Sequence, residues 1–146
     1  AAKLAALHYL TPGRPLPVIG RALRLNLTYN TGMAFGLPVP HALYFALLGL
    51  FLALVLVAVL LKRTSDMPPG TFDSFALMAA AGLGLGAALG NLTDRLRFGA
   101  VIDFIDFGFW PIFNLADTAL TIAGLILFLH LFTAGKKAPS QPPAEE

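Results

Sequence analysis

Gly90 to Asp117, GNLTDRLRFGAVIDFIDFGFWPIFNLAD, holds four of the chain's eight acidic residues: Asp94, Asp103, Asp106 and Asp117. Among them lie Arg95 and Arg97, Asn91 and Asn114, and the aromatics Phe98, Phe104, Phe107, Phe109, Trp110 and Phe113. On both sides the sequence turns almost entirely apolar. Ionisable groups next to membrane-length apolar segments are costly unless they face the protein interior or a wet cavity. The aromatics are those of a headgroup-level belt. The stretch therefore predicts a polar site at the membrane interface, carried on the ends of spanning helices.

Composition agrees. Of 146 residues, 57% are hydrophobic and 12% charged, with a mean hydropathy of +0.74, whereas about a quarter of a soluble domain is charged. The chain reads as one small integral membrane domain. Its net charge is +2 and its pI about 9.2, but the ten Lys and Arg are scattered, which excludes a nucleic-acid footprint. The absence of cysteine excludes disulfides, thiolate metal sites and cysteine nucleophiles. His8, His41 and His130 lie far from the acidic stretch in sequence, so neither a histidine-based triad nor a zinc site is expected. No cofactor or metal is expected.

Outward from the stretch lie three apolar spans. His41 to Leu61 has no charged residue and is long enough, at 1.5 Å per residue, to cross about 30 Å of hydrocarbon; Lys62 and Arg63 stop it. Ser74 to Leu92 is the second. Its Gly82, Gly86 and Gly90 recur every fourth residue, predicting a bare face against which neighbouring backbones pack closely and the most enclosed helix of the bundle. Leu115 to Thr133 is the third, closed by Lys136 and Lys137, and 135–146 is a proline-rich, disordered tail. Lys62, Arg63, Lys136 and Lys137 fall on one side, predicted to be cytoplasmic. Ala1 to Leu10 shows no secretory leader and is too short to span; it reads as the end of a truncated first helix.

The segment 11–40 is predicted to be extracytoplasmic. Thr11 to Pro17 carries three prolines and a glycine, a loop signature without regular structure. From Leu23 to Asn30 apolar Leu23, Leu25, Leu27 and Tyr29 alternate with polar Arg24, Asn26, Thr28 and Asn30, the period of a half-buried strand. The fold class is thus mainly α, a polytopic membrane helical bundle with a small β-containing outer segment.

Within the acidic stretch, Asn91, Asp94 and Arg95 stand at i, i+3 and i+4, on one side of a continuing helix. They could equally be a polar helix end that satisfies itself, with Asp94 paired to Arg95. Asn114 and Asp117 have the spacing of a capping box, yet Asp117 already lies inside the first turn of a span. Asp103 and Asp106 compete for the inward position within VIDFID. Two carboxylates facing each other share a proton, because like charges a few ångströms apart raise one pKa strongly. Such a pair activates water and protonates a carbonyl, the minimum for peptide hydrolysis without metal, serine or cysteine.

Four motifs, Asn30-Thr31-Gly32-Met33-Ala34-Phe35, Gly90-Asn91-Leu92-Thr93-Asp94-Arg95, Val101-Ile102-Asp103-Phe104 and Phe113-Asn114-Leu115-Ala116-Asp117, resemble in this order those of the lipoprotein signal peptidases, or signal peptidase II. The resemblance runs from about Lys3 to Thr133. It implies an aspartyl endopeptidase of the bacterial cytoplasmic membrane, multi-pass, monomeric and inhibited by globomycin, with its site at the extracytoplasmic face amid membrane lipid. Its substrate would be a prolipoprotein, cut before the diacylglyceryl-modified cysteine. Asp103 and Asp117 would be the catalytic pair; Asn30 and Arg95 would hold the substrate backbone; Asn91, Asp94 and Asn114, with Gly32 and Phe35, would support the site. Many members carry a longer, mobile lid where this chain has a short connection between Asp103 and Asp117. The alternatives from other classes are a metal-dependent membrane phosphotransferase, whose usual aspartate spacing is missing here, and a small transporter with a carboxylate proton relay.

Overall fold

The computed structural model describes residues 2–32, 42–65 and 72–134. Seven elements follow in order: α1 (Ala2–Tyr9), β1 (Leu16–Ile19), β2 (Leu23–Asn30), α2 (Ala42–Ser65), α3 (Phe72–Phe98), β3 (Val101–Asp106) and α4 (Leu115–Ala134). The architecture is mainly helical with one antiparallel sheet, ordered β1-β2-β3.

α3 is central and packs against both α2 and α4. Among the described residues, one helix, over Asp73–Phe98, is by itself long and apolar enough to cross a bilayer. Leu60, Leu77 and Ala81 form the core where α2 meets α3, with Val57 and Leu127 against it. Farther along the helices a cavity of about 270 Å³ opens among Ala80, Gly84 and Ala123. Phe51, Phe75, Met78, Leu125 and Phe128 all point outward, an apolar exterior that suits lipid.

The glycine stripe packs as its spacing predicts only at Gly90. A Cβ at Gly82 or Gly86 would meet nothing within 4 Å, and the close approaches are at Gly84, 3.7 Å from Ala123 Cβ, and Gly90, 3.9 Å from Ala116 Cβ. The buried face is Leu77, Ala80, Ala81 and Ala87, so alanines set the helix spacing. Gly86→Leu is therefore expected to leave the thermal unfolding of the protein in detergent unchanged or raised, since leucine gains about 0.8–1 kcal/mol of helix propensity over glycine. Gly84→Leu should instead overpack the α3–α4 contact and cost about 1–3 kcal/mol.

The sheet also differs from the sequence expectation in two ways. Leu16 and Pro17 belong to β1 although the prolines predict a loop; β1 is an edge strand, where proline withdraws no hydrogen bond from a neighbour. The third strand is recruited from Val101–Asp106, well outside the segment 11–40. One face of this sheet is covered by α1, through a core of Ala6, Leu27, Ile102 and Phe104. The other carries the polar alternation of β2.

A break in the regular β2–β3 pairing decides what that polar face holds. Phe104 N–H and Ile105 N–H both donate to Phe113 O, at 3.0 and 2.8 Å, and the β2–β3 register shifts between Leu25 and Thr28. In a regular strand residues i and i+3 point to opposite faces; here two successive β3 amides share one acceptor and β2 takes three steps from Leu25 to Thr28 against two in β3 from Ile105 to Asp103, an irregularity that removes that opposition. Asp103 and Asp106 both reach side chains of the polar β2 face, Asn30 for the first and Arg24 and Asn26 for the second. Both are buried.

Candidate active site

The last turns of α3, the start of α4, the end of β2 and the middle of β3 meet at one end of the bundle, and Asn114 lies at their junction. It is fully buried. Its Nδ2 donates to Asp103 Oδ1 at 2.6 Å and to Asn91 Oδ1 at 3.2 Å. Its Oδ1 accepts the backbone N–H of Ala116 at 2.7 Å and of Asp117 at 3.3 Å, and its own N–H donates to Asp117 Oδ2 at 3.0 Å. The capping box expected from the sequence is present, and it satisfies donors that a helix start otherwise leaves unpaired. The same bonds orient Asp117 and tie it to Asp103.

Each carboxylate has a second partner. Asp103 Oδ2 accepts from Asn30 Nδ2 at 3.0 Å, and Asp117 Oδ1 accepts from Asn91 Nδ2 at 2.8 Å. Asp103 is 2% exposed, whereas Asp117 is half-buried. Burial pushes the Asp103 carboxyl above its ordinary value; the amides of Asn114 and Asn30 oppose that shift, and the charge of Asp117 adds to it. The arrangement is an unequal carboxylate pair, one acid buried and one half-buried, held by the amides of Asn30, Asn91 and Asn114.

Lys3, on α1, has no role in the sequence expectation but is a hub of the site. Its Nζ lies 2.6 Å from both Asn91 Oδ1 and Asp94 Oδ2. Asp94 Oδ2 also accepts the N–H of Ile102 at 3.0 Å, so one carboxylate fastens α1 and β3 to α3. The expected alternative of an Asp94–Arg95 pair is thereby replaced: Asp94 goes to Lys3, and Arg95 Nη2 donates to Gly32 O at 2.7 Å. Gly32 N–H in turn donates to Asn30 Oδ1 at 3.0 Å. The available signal was a lone lysine on an otherwise apolar helix, which needs a buried acceptor. Phe35, a predicted supporting residue, lies outside the described residues.

Asp106, left without a function by the sequence, closes the far end of the polar face. Arg24 Nη2 is 2.9 Å from both of its oxygens, Asn26 Nδ2 donates to Oδ2 at 3.0 Å, and Gly108 N–H donates to Oδ1 at 2.7 Å. The guanidinium of Arg24 holds its carboxyl below the ordinary value of 3.8. A depressed folded pKa contributes stability that is complete above the unfolded value and lost as pH falls through the folded one. The Asp106 contribution to protection of β3 amides from hydrogen exchange is therefore expected to be lost below pH 3.8, and Asp106→Asn should lower that protection at neutral pH while flattening this acid-side loss. His130 is remote from the site, 4.0 Å from Asp73 in the first turn of α3.

Comparison with known proteins gives the arrangement a family. The sequence model described as signal peptidase (SPase) II matches residues 1–133. A lipoprotein signal peptidase of Moorella thermoacetica is 37% identical over 131 residues, covering 90% of this chain and 83% of the relative. Another, from Pelotomaculum thermopropionicum, is 39% identical over 138 residues, covering 94% and 86%. A solved bacterial membrane enzyme superimposes with a TM-score of 0.73 at 25% identity, over 97% of this chain and 85% of that one. A second does so with a TM-score of 0.66 at 28% identity, over 89% and 82%. The chain belongs to the signal peptidase II family.

Proposed function

We propose that this signal peptidase II removes signal peptides from diacylglyceryl-modified prolipoproteins with Asp103 and Asp117 as its water-activating pair. The observation that carries the assignment of the pair is Asn114, whose side chain and backbone bond both carboxylates at once. Asp117, the more exposed of the two, takes a proton from water as the oxygen attacks the scissile carbonyl carbon. Asp103, whose carboxyl burial pushes above its ordinary value, is assigned the acid's part and gives its proton to the carbonyl oxygen. On collapse of the tetrahedral diol the C–N bond breaks, Asp117 passes its proton to the leaving amine, and Asp103 recovers one from the diol hydroxyl. Both acids return to their starting states, as general acid–base catalysis requires.

Arg95 spends one donor on Gly32 O and, with five N–H groups in a planar fork, keeps others for the substrate backbone. Asn30 orients Asp103. Three spans are proposed. α2 and α4, with 24 and 20 residues, reach about 30 Å or more at 1.5 Å per residue, alongside α3. The proposed setting is the bacterial cytoplasmic membrane, as a monomer in contact with lipid, with the site at the extracytoplasmic face and open to globomycin. Lys62 at the opposite end of α2 from the site supports that orientation. The phosphotransferase and transporter alternatives gain nothing from the family match.

The test uses matched precursor peptides with and without the diacylglyceryl group, each incubated with the detergent-solubilised protein in the presence and absence of EDTA. Cleavage immediately before the modified cysteine, only in the lipidated peptide and indifferent to EDTA, is expected. Equal cleavage of both peptides, or loss on chelation, would remove the reading.

A further inference from the structure

The turn from Phe107 to Ile112 contains no charged residue and leaves its aromatics outside: Phe109 is 85% exposed, Trp110 50% and Phe107 37%. Despite that exposure its root is fixed. Phe113 and Ile105 exchange backbone hydrogen bonds of 3.1 and 2.8 Å across its base, and Asp106 holds the Gly108 N–H while Arg24 holds Asp106. Gly108 takes φ +79°, and a Cβ there would stand 3.3 Å from Arg24 Nη2, so the turn needs glycine to lie this close to the clasp. Phe107 stacks on Phe109 with ring centroids 6.1 Å apart and touches Phe113 at 5.7 Å. α4 begins two residues beyond Phe113 with Leu115, itself 54% exposed, so the turn continues the outward apolar surface of that helix. The clasp, the bridge and the stacked rings tie the turn to β3 and Arg24.

Resting on the reading of this chain as a membrane peptidase, we propose that Phe107 to Ile112 is a fixed interfacial wedge, which seats Phe109 and Trp110 in the outer headgroup and upper acyl region and so sets the depth at which the Asp103 strand is held. The partner is the bilayer itself. Aromatic rings with one polar edge settle at that level, and a rigid attachment passes their depth to β3 through Asp106 and the Ile105–Phe113 bridge.

Trp110 is the chain's one tryptophan, so its emission reports on the turn without any substitution. The full chain is reconstituted in phosphatidylcholine–phosphatidylglycerol vesicles whose acyl chains carry bromine near either the carbonyl or the methyl end. Before any substrate is added, emission should be quenched more by the shallow bromines than by the deep ones, and little by acrylamide in the water. Quenching by acrylamide with no effect of brominated lipid would overturn the wedge, as would protection that appears only on adding a lipidated precursor, the behaviour of a substrate lid. Phe109→Ser should cleave that precursor normally in detergent micelles and several-fold more slowly in vesicles; equal rates in both would also overturn it. A wild-type protein that shows the shallow quenching but cleaves nothing in either medium would defeat the peptidase reading and leave the wedge standing.

Discussion

Asp103→Asn and Asp117→Asn are each expected to lower cleavage of a lipidated precursor by about 10²–10⁴-fold or more, the scale of removing a positioned general acid or base, while the protein stays folded in detergent. Asparagine matches the shape of aspartate, so the packing of the junction survives. Each substitution turns one acceptor oxygen into an amide donor facing an existing donor. For Asp103 that donor belongs to Asn30 or Asn114, and for Asp117 it is Asn91 Nδ2 or the Asn114 N–H. A lost hydrogen bond of this kind costs about 1 kcal/mol, visible as a small shift in thermal unfolding and insufficient to unfold the protein. Substantial residual cleavage in either variant would sink the dyad.

A second readout separates a coupled pair from two independent acids. The negative charge of Asp117 raises the Asp103 pKa, so in Asp117→Asn the Asp103 carboxyl should titrate lower than in the wild type, measured by NMR of a labelled carboxyl carbon. No change would mean that the two groups are not neighbours in an electrostatic sense. Because the folded value of Asp103 lies above its ordinary 3.8, the protonated acid is favoured by folding, and stability falls as pH rises from 3.8 through that folded value. Asp103→Asn removes this slope. Asp106→Asn, by contrast, touches neither member of the pair and should reduce cleavage far less.

How far the site was legible in the sequence depends on the range of the interaction that builds each part. Asp117 and Asn114 were readable twice over, because a capping box is a local pattern and both of its bonds form within one helical turn. The alternation of β2 was readable for the same reason, and the three long helices followed from apolar length. The choice between Asp103 and Asp106 was not readable, since it turns on the pairing of Ile105 with Phe113 and on the register shift against β2, neither of which has a local signal. β3 escaped notice because VIDFID, with two buried acids, breaks the apolar alternation that marks a strand. The glycine stripe misled because periodicity identifies a bare face without saying what lies opposite it; alanines at the neighbouring positions turned out to face α2 and α4. Lys3 was hidden by distance, for its partners are 88 and 91 residues away.

Lys3→Met is expected to cost about 3–5 kcal/mol of stability, the range for removing one partner of a buried ion pair, and to slow cleavage as well. The ammonium and carboxylate side chains are 17% and 8% exposed, so water replaces little of what is lost. Methionine fills the same volume but leaves Asp94 with the Ile102 N–H as its remaining acceptor bond at this end. Asn91 is affected differently. Its Oδ1 would keep the longer bond from Asn114 Nδ2 at 3.2 Å, and the amide, less firmly fixed, would no longer hold Nδ2 against Asp117 Oδ1. Loss of the positive charge also removes an influence that lowers the Asp103 pKa, so that carboxyl should titrate still higher. The measurements are thermal unfolding in detergent for Lys3→Met, Asp94→Leu and the double variant, with cleavage rates alongside. The double variant should be less destabilised than the sum of the singles, since it leaves no unpaired buried charge. A Lys3→Met protein within about 0.5 kcal/mol of wild type, the range of an ordinary surface change, would show that α1 is not fastened to the site through this charge. A large loss with a positive coupling would instead make α1, through one lysine, the support on which the orientation of Asp117 depends.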